Sequence, residues 1–397
     1  MAMYKQLVVV IPTRNRSDLA IRAAISVLSN VEQRDVSVLI SDNSTESAHS
    51  SALDAYIASN CASDLTLIRP PMPLSMTAHW EFAINEALRR TEFSHFIFLT
   101  DRMIFKRDSL GALLAISRQY PLDVLSYSND QVDDFPPNVR YFPAIRSGRL
   151  FRIDSASLIA QSAKMSFNTC LPRMLNCLVP REHLVLLGER YHNVFSSASP
   201  DFCFCYRTLA STESILYLDE SMMVSYALDR SNGASVARGL PSKDSVDFRM
   251  QLTAKDLNSC APVPEIATVG NAVIHEYVCV KNESAHPEFF PIALGPYLDY
   301  LAHEALQFKD QNLKSKSLAI LRNSGWRFTL GFAWQRFFRA LVSLVARLLA
   351  KKFASIDDAL EFACARSKRR IPWIHPFTRR YVQRQVPISI DVSLSKN

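Results

Sequence analysis

The chain is poor in glycine, with nine glycines in 397 residues and no two of them separated by a single residue. This excludes the G-x-G-x-x-G dinucleotide fingerprint and the glycine-rich P-loop, so bound phosphates would need other donors. Eight cysteines are scattered without a C-x-x-C pair, and the histidines have no ligand-like spacing, so we expect no zinc or redox site. No run of about 18 apolar residues occurs, so no transmembrane helix is expected.

The composition is that of a soluble globular protein, with 48% hydrophobic and 21% charged residues. The net charge of +7 is unevenly distributed, because residues 317–397 hold fifteen Lys or Arg against four Asp or Glu. A basic segment of this kind favours a phosphate-bearing partner, and a membrane surface fits better than a nucleic acid because no nucleic-acid motif accompanies it. No secretory signal precedes the first apolar run, which predicts a cytoplasmic chain with reduced thiols.

Short apolar runs alternate with amphipathic segments over the first 130 residues. The runs are Leu7–Ile11, Val36–Ile40, Leu65–Ile68, Phe96–Leu99 and Leu122–Tyr127. The amphipathic segments are Ser17–Asn30, with Ser17 as the expected N-cap, then Ser47–Ser59, Thr77–Arg90 and Ser109–Tyr120. This alternation predicts an α/β fold with a mainly parallel central sheet, whose strand ends carry the functional loops. Residues 131–148 read as a long loop, and residues 240–320 as mostly helical.

Polar motifs follow three of the predicted strands. They are Pro12-Thr13-Arg14-Asn15, Asp42-Asn43-Ser44 and Thr100-Asp101-Arg102. Together with Val8–Ile11 and Leu39–Ser41, the first two resemble the opening motifs of glycosyltransferase family 2, which are inverting enzymes with the GT-A fold. The segments Leu74-Ser75-Met76, His79-Trp80-Glu81, Ile97–Arg102 and Ser199-Pro200-Asp201 are similar to later motifs of that family, and the resemblance covers about residues 5–235.

The resemblance implies a nucleoside-diphosphate-sugar donor, with UDP or dTDP favoured. The residues expected to bind it are Pro12, Thr13, Arg14, Asn15, Asp42, Asn43, Ser44, Ser75, His79 and Asp101. Asp42 would accept from the nucleobase, although Asp and Asn are also ordinary turn residues. Arg14 has the alternative of a solvated surface arginine, and a structural role for His79 fits its sequence equally well.

Thr100-Asp101-Arg102 departs from the family pattern. The family places two or more carboxylates here to hold Mn²⁺ or Mg²⁺ against the diphosphate, and one carboxylate is a poor site for such ions. Metal use is therefore uncertain, with Asp101 as the only candidate ligand. Arg102 is the candidate substitute for the ion, because a guanidinium binds phosphate through two hydrogen bonds. The alternatives are a degenerate site or an arginine that points into solvent.

Asp201 is the candidate general base, since inverting transfer needs a carboxylate that takes the proton of the acceptor hydroxyl. A helix N-cap would also explain its place before an apolar run. The polar segment Arg230-Ser231-Asn232 is the candidate closing loop over diphosphate or acceptor, and an ordinary loop is its alternative.

Residues 331–353 combine aromatic, aliphatic and basic side chains at helical spacing. Such a helix suits the interface of a bilayer that contains anionic lipid. It could instead pack on the catalytic domain with its arginines in water. The membrane interpretation would associate the protein peripherally with the inner face of the cell membrane.

We therefore expect a GT-A-type domain over residues 1–240, a helical extension over 241–320 and a basic amphipathic region over 321–397. The expected reaction is inverting sugar transfer to a hydroxyl of a growing glycan, either a surface polysaccharide or a lipid-linked oligosaccharide. A non-catalytic relative that binds or scaffolds glycans is the alternative, which the Arg102 departure favours and the retained Asp201 disfavours. A nucleotidyltransferase lacks support because no glycine-rich basic N-terminal loop is present.

Overall fold

The computed structural model describes residues 6–30, 35–60, 64–135, 139–143, 146–167, 169–197, 199–231, 233, 259–365 and 382–386. The strands are β1 (Leu7–Thr13), β2 (Val36–Asp42), β3 (Leu65–Ile68), β4 (His95–Phe98), β5 (Met103–Phe105), β6 (Leu125–Asp133), β7 (Val139–Phe142), β8 (Leu150–Asp154), β9 (Cys177–Pro180), β10 (Ser214–Ser225), β11 (Lys351–Phe353) and β12 (Val382–Val386). The first helices are α1 (Ser17–Leu28), α2 (Ser47–Ser59), α3 (Met76–Leu88), α4 (Ser109–Gln119), α5 (Ser155–Ser162), α6 (Arg181–Tyr191) and α7 (Pro200–Leu209). The later helices are α8 (Val269–Ser284), α9 (Leu294–Ala305), α10 (Gln311–Asn323), α11 (Leu330–Leu349) and α12 (Ile356–Ala365).

The strands form one sheet in the order β12-β8-β10-β6-β9-β4-β1-β2-β3. The predicted α/β fold is confirmed, and strands β3, β2, β1 and β4 pair in parallel as expected. Beyond β4 the sheet becomes mixed, because β9 runs antiparallel to both β4 and β6, and β8 runs antiparallel to β10. Strand β7 lies inside the segment that the sequence reads as a loop, and it pairs with β6 and β11.

Strands β1, β2 and β4 of the parallel half are buried on both faces, whereas the edge strand β3 is partly exposed. Every residue of β1 and β2 is buried, which explains why their sequences are continuous apolar runs rather than alternating ones. Helix α1 covers one face with Ala20, Ala23 and Val27. Its N-cap position is held by Arg16 without a side-chain cap hydrogen bond, and Ser17 is the first helical residue. The prediction of Ser17 as N-cap is therefore wrong by one residue.

The residues after 259 contribute to the same core as the sheet. Val273, Tyr277 and Val280 of α8 pack in a cluster with Phe204 of α7 and with strand residues of the sheet. The expected helical character is observed from α8 through α10; residues 241–258 lie outside the described part of the chain. Strands β11 and β12 pair with β7 and β8, so the basic C-terminal region also supplies strands to the sheet.

Helix α11 presents its apolar side chains to solvent. Leu330 is 89% exposed and Trp334 67% exposed, and Phe332 is the residue of the helix that is buried. The exposed set is Leu330, Trp334, Phe337, Phe338, Leu341, Val342, Leu344, Val345, Leu348 and Leu349. Among the described helices, none has the combination of length and apolarity needed to cross a bilayer.

Candidate active site

Two of the predicted polar loops lie side by side because β1 and β2 are parallel and in register. Thr13 pairs with Asp42 at the carboxyl ends of the two strands, and the Asn43 N–H donates to the Thr13 carbonyl at 3.0 Å. Pro12 pairs with Ser41 one position earlier. Strand β4 lies on the other side of β1, and its continuation carries Asp101 to the same edge. The carboxyl edge of a parallel sheet is where α/β proteins bind ligands.

Asp42 is the centre of a hydrogen-bonded turn. One carboxylate oxygen accepts from the Ser44 N–H at 2.9 Å, and the other accepts from the Ser50 hydroxyl and from Arg69 Nε, both at 2.9 Å. Burial tends to raise the pKa of Asp42, but the hydrogen bonds from Ser44, Arg69 and Ser50 outweigh it and hold the pKa below its ordinary value. Asp42 is therefore an ionised acceptor, and its hydrogen bonds to Ser44, Ser50 and Arg69 give it the structural role of a turn residue.

Asn15 connects the loop after β1 to the loop after β2. Its backbone has a φ of 54°, a left-handed conformation that Asn tolerates better than most residues. In this position its N–H donates to Ser44 Oγ at 2.9 Å, and its side-chain oxygen accepts from the N–H groups of Thr45 and Glu46. The two motifs are thus one bonded unit, in which Asn15 and Ser44 shape the loops.

The segment before α3 closes this unit from a third side. Asn43 donates to the Leu74 carbonyl and accepts from the Leu74 N–H, both at 2.9 Å, and Arg14 donates to the same carbonyl at 3.2 Å. Arg14 is therefore held against the neighbouring loop and is not a purely solvated arginine. Ser75 is the N-cap of α3, where its hydroxyl accepts from the Ala78 N–H.

His79 is a buried residue of α3 that contacts strand β2. It is 3% exposed, and its Nε2 is 2.9 Å from Ser41 Oγ. Burial lowers the pKa of His79 to about 4, because the charged ring would lose its hydration, and Asp42 compensates only in part. The ring is neutral at physiological pH and fixes β2 against α3, which agrees with the structural interpretation of this residue.

Asp101 is a buried carboxylate between cationic side chains. It is 4% exposed, it accepts from the Thr13 hydroxyl at 3.0 Å, and it lies 3.6 Å from the guanidinium of Arg16. Burial raises the pKa of Asp101, and the charges of Arg16 and Arg102 offset the rise only in part. In the described part of the chain, no group of three metal-ligating side chains converges on Asp101. The donor set therefore fits a hard divalent cation poorly.

Arg102 follows Asp101 with its backbone fixed, since its carbonyl accepts from the Tyr226 N–H at 3.0 Å. Its side chain is partly exposed. Burial lowers the pKa of Arg102, and the carboxylates of Asp101, Asp134 and Asp229 favour its charged form. A guanidinium has so high an ordinary pKa that it remains a cation here. Arg102 thus supplies a positive charge beside Asp101.

Arg16 lies at the same sheet edge, although no sequence motif assigned it a role. One of its nitrogens lies 3.6 Å from Asp101, and the other donates to the Arg230 carbonyl at 2.6 Å. The Arg230 side chain in turn lies 3.3 Å from Asp18. Arg16 therefore joins the candidate closing loop to the Asp101 loop; Ser231 is buried nearby, and Asn232 lies outside the described residues.

Asp201 lies in the first turn of α7, with Pro200 as the first helical residue and Ser199 as the N-cap. The alternative of Asp201 as N-cap is therefore wrong. Burial raises the pKa of Asp201, while the charge of Arg173 and the backbone N–H groups of Asp201 and Phe202 oppose the rise. A carboxylate with a raised pKa is a better proton acceptor than an ordinary aspartate.

The register of β9 relates Asp201 to the Asp101 edge. Leu178 of β9 pairs antiparallel with Ile97 of β4, so the residues before Cys177 extend past the end of β4. Arg173 belongs to this stretch, and its guanidinium lies 5.7 Å from the ring centre of Phe202, the residue after Asp201. The first turn of α7 is therefore on the side of the sheet edge where Asp101 follows β4.

The loop before Asp201 is held by α3 and α8. Thr77 donates to the Ser197 carbonyl at 2.6 Å, and Glu276 accepts from the Ser199 N–H at 2.8 Å. Glu276 is fully buried, and burial raises its pKa to about 8. No local sequence pattern pointed to Glu276, because it lies far from Asp201 in the chain and only the tertiary fold brings the two segments together.

Comparisons with known proteins give a fold likeness at low identity. No protein-family model and no curated protein matches the chain. Among solved structures, the chain is similar to S. aureus TarS, with 12% identity and a TM-score of 0.43. The alignment covers 79% of this chain and 53% of the TarS chain. S. aureus TarS 1-349 in complex with UDP-GlcNAc is similar with 12% identity and a TM-score of 0.45, over 80% of this chain and 89% of that one. The chain thus spans about half the length of the longer TarS structure.

Proposed function

We propose that this protein is an inverting glycosyltransferase of the family 2 type, with a GT-A-type domain that binds a nucleoside-diphosphate sugar. The observation that carries the proposal is the hydrogen-bonded union of the Thr13–Asn15, Asp42–Ser44 and Leu74 loops beside Asp101. These motifs are separate along the sequence, and hydrogen bonds join them at one sheet edge. Asp42 accepts from the nucleobase, with uridine or thymidine favoured.

The reaction needs three things from this chain: a bound donor, charge stabilisation on the diphosphate and a base for the acceptor. Asp201 takes the proton from the acceptor hydroxyl. The hydroxyl oxygen attacks the anomeric carbon at the same time, on the face opposite the diphosphate. The bond from the anomeric carbon to the diphosphate oxygen breaks, and negative charge accumulates on the leaving group. Arg102 stabilises this charge, and Arg16 holds the Arg230 segment beside Asp101. The acceptor is a hydroxyl of a growing glycan, of the surface-polysaccharide or lipid-linked class.

A donor screen tests this function. Thermal unfolding of the full chain is followed with UDP-, dTDP-, GDP- and ADP-sugars, and the stabilising donors are then assayed for hydrolysis and transfer. We expect a uridine or thymidine donor to raise the unfolding midpoint, and Asp42→Asn to abolish the rise by removing the ionised acceptor. Stabilisation without any turnover would instead support a non-catalytic glycan-binding relative. No stabilisation by any donor would contradict nucleotide-sugar binding.

We also propose that α11 holds the protein peripherally on an anionic membrane surface. The helix contains Arg336, Arg339 and Arg347 and no acidic residue, and these arginines lie on the face opposite its exposed apolar side chains. The arginine face lies towards the body of the protein, as the Arg339 guanidinium 5.5 Å from the Tyr300 ring indicates. The apolar face is therefore directed outward, where the acyl region of a bilayer would cover it.

A pocket at the start of α11 strengthens the choice of anionic lipid over a second protein. It has a volume of about 480 Å³ and combines apolar and basic side chains. Its lining is Leu306, Leu318, Arg322, Trp326, Arg327, Phe328 and Arg336. The three arginines and the apolar side chains of this lining complement a lipid phosphate and the first part of its acyl chain.

A further inference from the structure

Three potential metal ligands converge away from the donor site. His275 and Cys279 are four residues apart in α8, which puts both on the same face of the helix. Cys260 approaches them from the segment before α8, and one ligand atom from each of the three residues lies within 4.8 Å of the others. Both cysteines are partly exposed and His275 is buried, so an ion can reach the thiols from solvent while the imidazole is held in place.

The imidazole of His275 has the orientation of a metal ligand with an outer partner. Its Nε2 is 2.9 Å from Ser197 Oγ, so a proton on Nε2 donates to this hydroxyl. The opposite nitrogen, Nδ1, is then the lone-pair side, and it faces Cys260, whose N–H donates to it at 3.2 Å. Metal-bound histidines commonly use the second ring nitrogen in this way, because that hydrogen bond fixes the tautomer and the ring orientation.

We propose that Cys260, His275 and Cys279 form a Zn²⁺ site, with water as the fourth ligand. Two thiolates and a neutral imidazole are soft and borderline ligands that favour Zn²⁺ over Mg²⁺ or Mn²⁺. Zn–S and Zn–N bonds of about 2.3 and 2.0 Å put tetrahedral ligand atoms about 3.5–3.8 Å apart. The ligating pair, Cys279 Sγ and His275 Nδ1, lies 4.0 Å apart, which is a few tenths of an ångström more than this geometry. To bind the ion, the cysteine side chains rotate towards His275, and Nδ1 exchanges its hydrogen bond from the Cys260 N–H for the bond to Zn²⁺.

The position of the site gives the ion a consequence for the loop that leads to Asp201. The hydrogen bond of His275 reaches Ser197, and the neighbouring Glu276 holds the Ser199 N–H. Zn²⁺ would therefore stiffen α8, the Cys260 segment and the two residues Ser197 and Ser199 as one unit. This role is structural and separate from the question of a diphosphate-bound metal at Asp101.

Metal titration of the full chain tests the site. The protein is treated with a chelator under reducing conditions, dialysed, and titrated with Co²⁺, whose absorption reports thiolate ligation and tetrahedral geometry. We expect one Co²⁺ per chain with thiolate-to-cobalt absorption, and its displacement by Zn²⁺. Cys260→Ser and Cys279→Ser should each weaken binding by more than about 100-fold, and the outer-partner change Ser197→Ala by about 10-fold.

Two controls separate this site from other thiols and from the donor site. Cys364→Ser alters a partly exposed cysteine on α12, and Asp101→Asn alters the donor edge; both should retain the cobalt spectrum. Thermal unfolding of each variant confirms that it is folded, and Zn²⁺ should raise the midpoint of the parent chain but not of Cys279→Ser. A parent chain that gives no thiolate–cobalt absorption, or one whose spectrum survives in Cys279→Ser, would overturn the proposal.

Discussion

The guanidinium of Arg16 lies 3.6 Å from the carboxylate of the buried Asp101. Asp101 is also close enough to the next residue, Arg102, to feel its charge. A carboxylate next to two guanidinium groups has little remaining affinity for a divalent cation. The same two arginines supply positive charge where the diphosphate is expected to lie. This arrangement underlies the first two predictions.

Transfer should be independent of added Mg²⁺ or Mn²⁺, and Arg102→Ala should lower kcat by about 10²–10³, the usual scale for losing a positioned charge donor. Arg102→Lys should recover part of the loss because it keeps the charge without the planar fork. The measurement is initial transfer rate after chelation, with separate return of Mg²⁺, Mn²⁺ or Zn²⁺. Restoration by Mg²⁺ or Mn²⁺ contradicts the prediction, whereas restoration by Zn²⁺ alone reports the Cys260 site.

Arg16→Ala should weaken donor binding, with a rise in KM of about 10-fold and a smaller change in kcat, because Arg16 positions the Arg230 segment and does not touch the reacting atoms. Steady-state kinetics with varied donor separates the two constants. Arg22→Ala is the matched control, since Arg22 on α1 pairs with the exposed Asp357 outside the site. Equal effects of both changes would remove Arg16 from the site.

Asp201→Asn should keep donor binding and lower transfer by about 10² or more, as loss of a general base does. Because burial raises the pKa of Asp201, the acidic limb of the activity profile should lie above the pH where an ordinary aspartate titrates. Asp310→Asn is the control, because Asp310 caps α10 and Asn caps helices equally well. Near-normal transfer by Asp201→Asn would exclude this residue as the base.

Glu276 should make stability fall as pH rises. Its pKa of about 8 in the folded protein lies above the ordinary value of 4.5, so the folded state binds a proton that the unfolded state releases between these values. The contribution of Glu276 to the free energy of unfolding is therefore largest below about pH 4.5, and it decreases as the pH rises to about 8. Glu276→Gln should remove this slope, and the measurement is the thermal unfolding midpoint against pH. Parallel curves for the two proteins would contradict the prediction.

The double change Phe337→Ser and Phe338→Ser should reduce co-sedimentation with anionic liposomes while leaving donor binding intact. Binding of the parent chain should weaken with salt and be small for neutral liposomes. Phe290→Ser is the matched control, since Phe290 is similarly exposed but lies outside α11. If the double change instead dissociates a dimer and leaves liposome binding unchanged, the α11 face is a protein interface.

The sequence predicted the parallel half of the fold well, but it predicted contacts between distant segments of the chain poorly. Helix α2 has the predicted bounds, Ser47–Ser59, because buried strands and amphipathic helices leave strong local patterns. Strand β12 is short, with two valines, two glutamines and one arginine, and its pairing with β8 depends on a partner about 230 residues away. No local pattern encodes such a partner.

The site divides in the same way. The strand-end motifs were visible because each is a short contiguous segment. The roles of Arg16 and Glu276, and the convergence of Cys260 with His275 and Cys279, depend on contacts between separate segments. The sequence analysis expects no zinc site, whereas the structure brings these three potential ligands together; the four-residue spacing of His275 and Cys279 was the available signal.

The pairing of β12 with β8 also constrains the order of events during synthesis. The parallel strands β1 to β4 and their helices are complete within the first hundred or so residues, so they can assemble while the rest of the chain is being translated. The outer side of β8 must wait until residue 386 has left the ribosome. During that interval β8 is an open edge that can pair with another nascent chain, and β12 closes it.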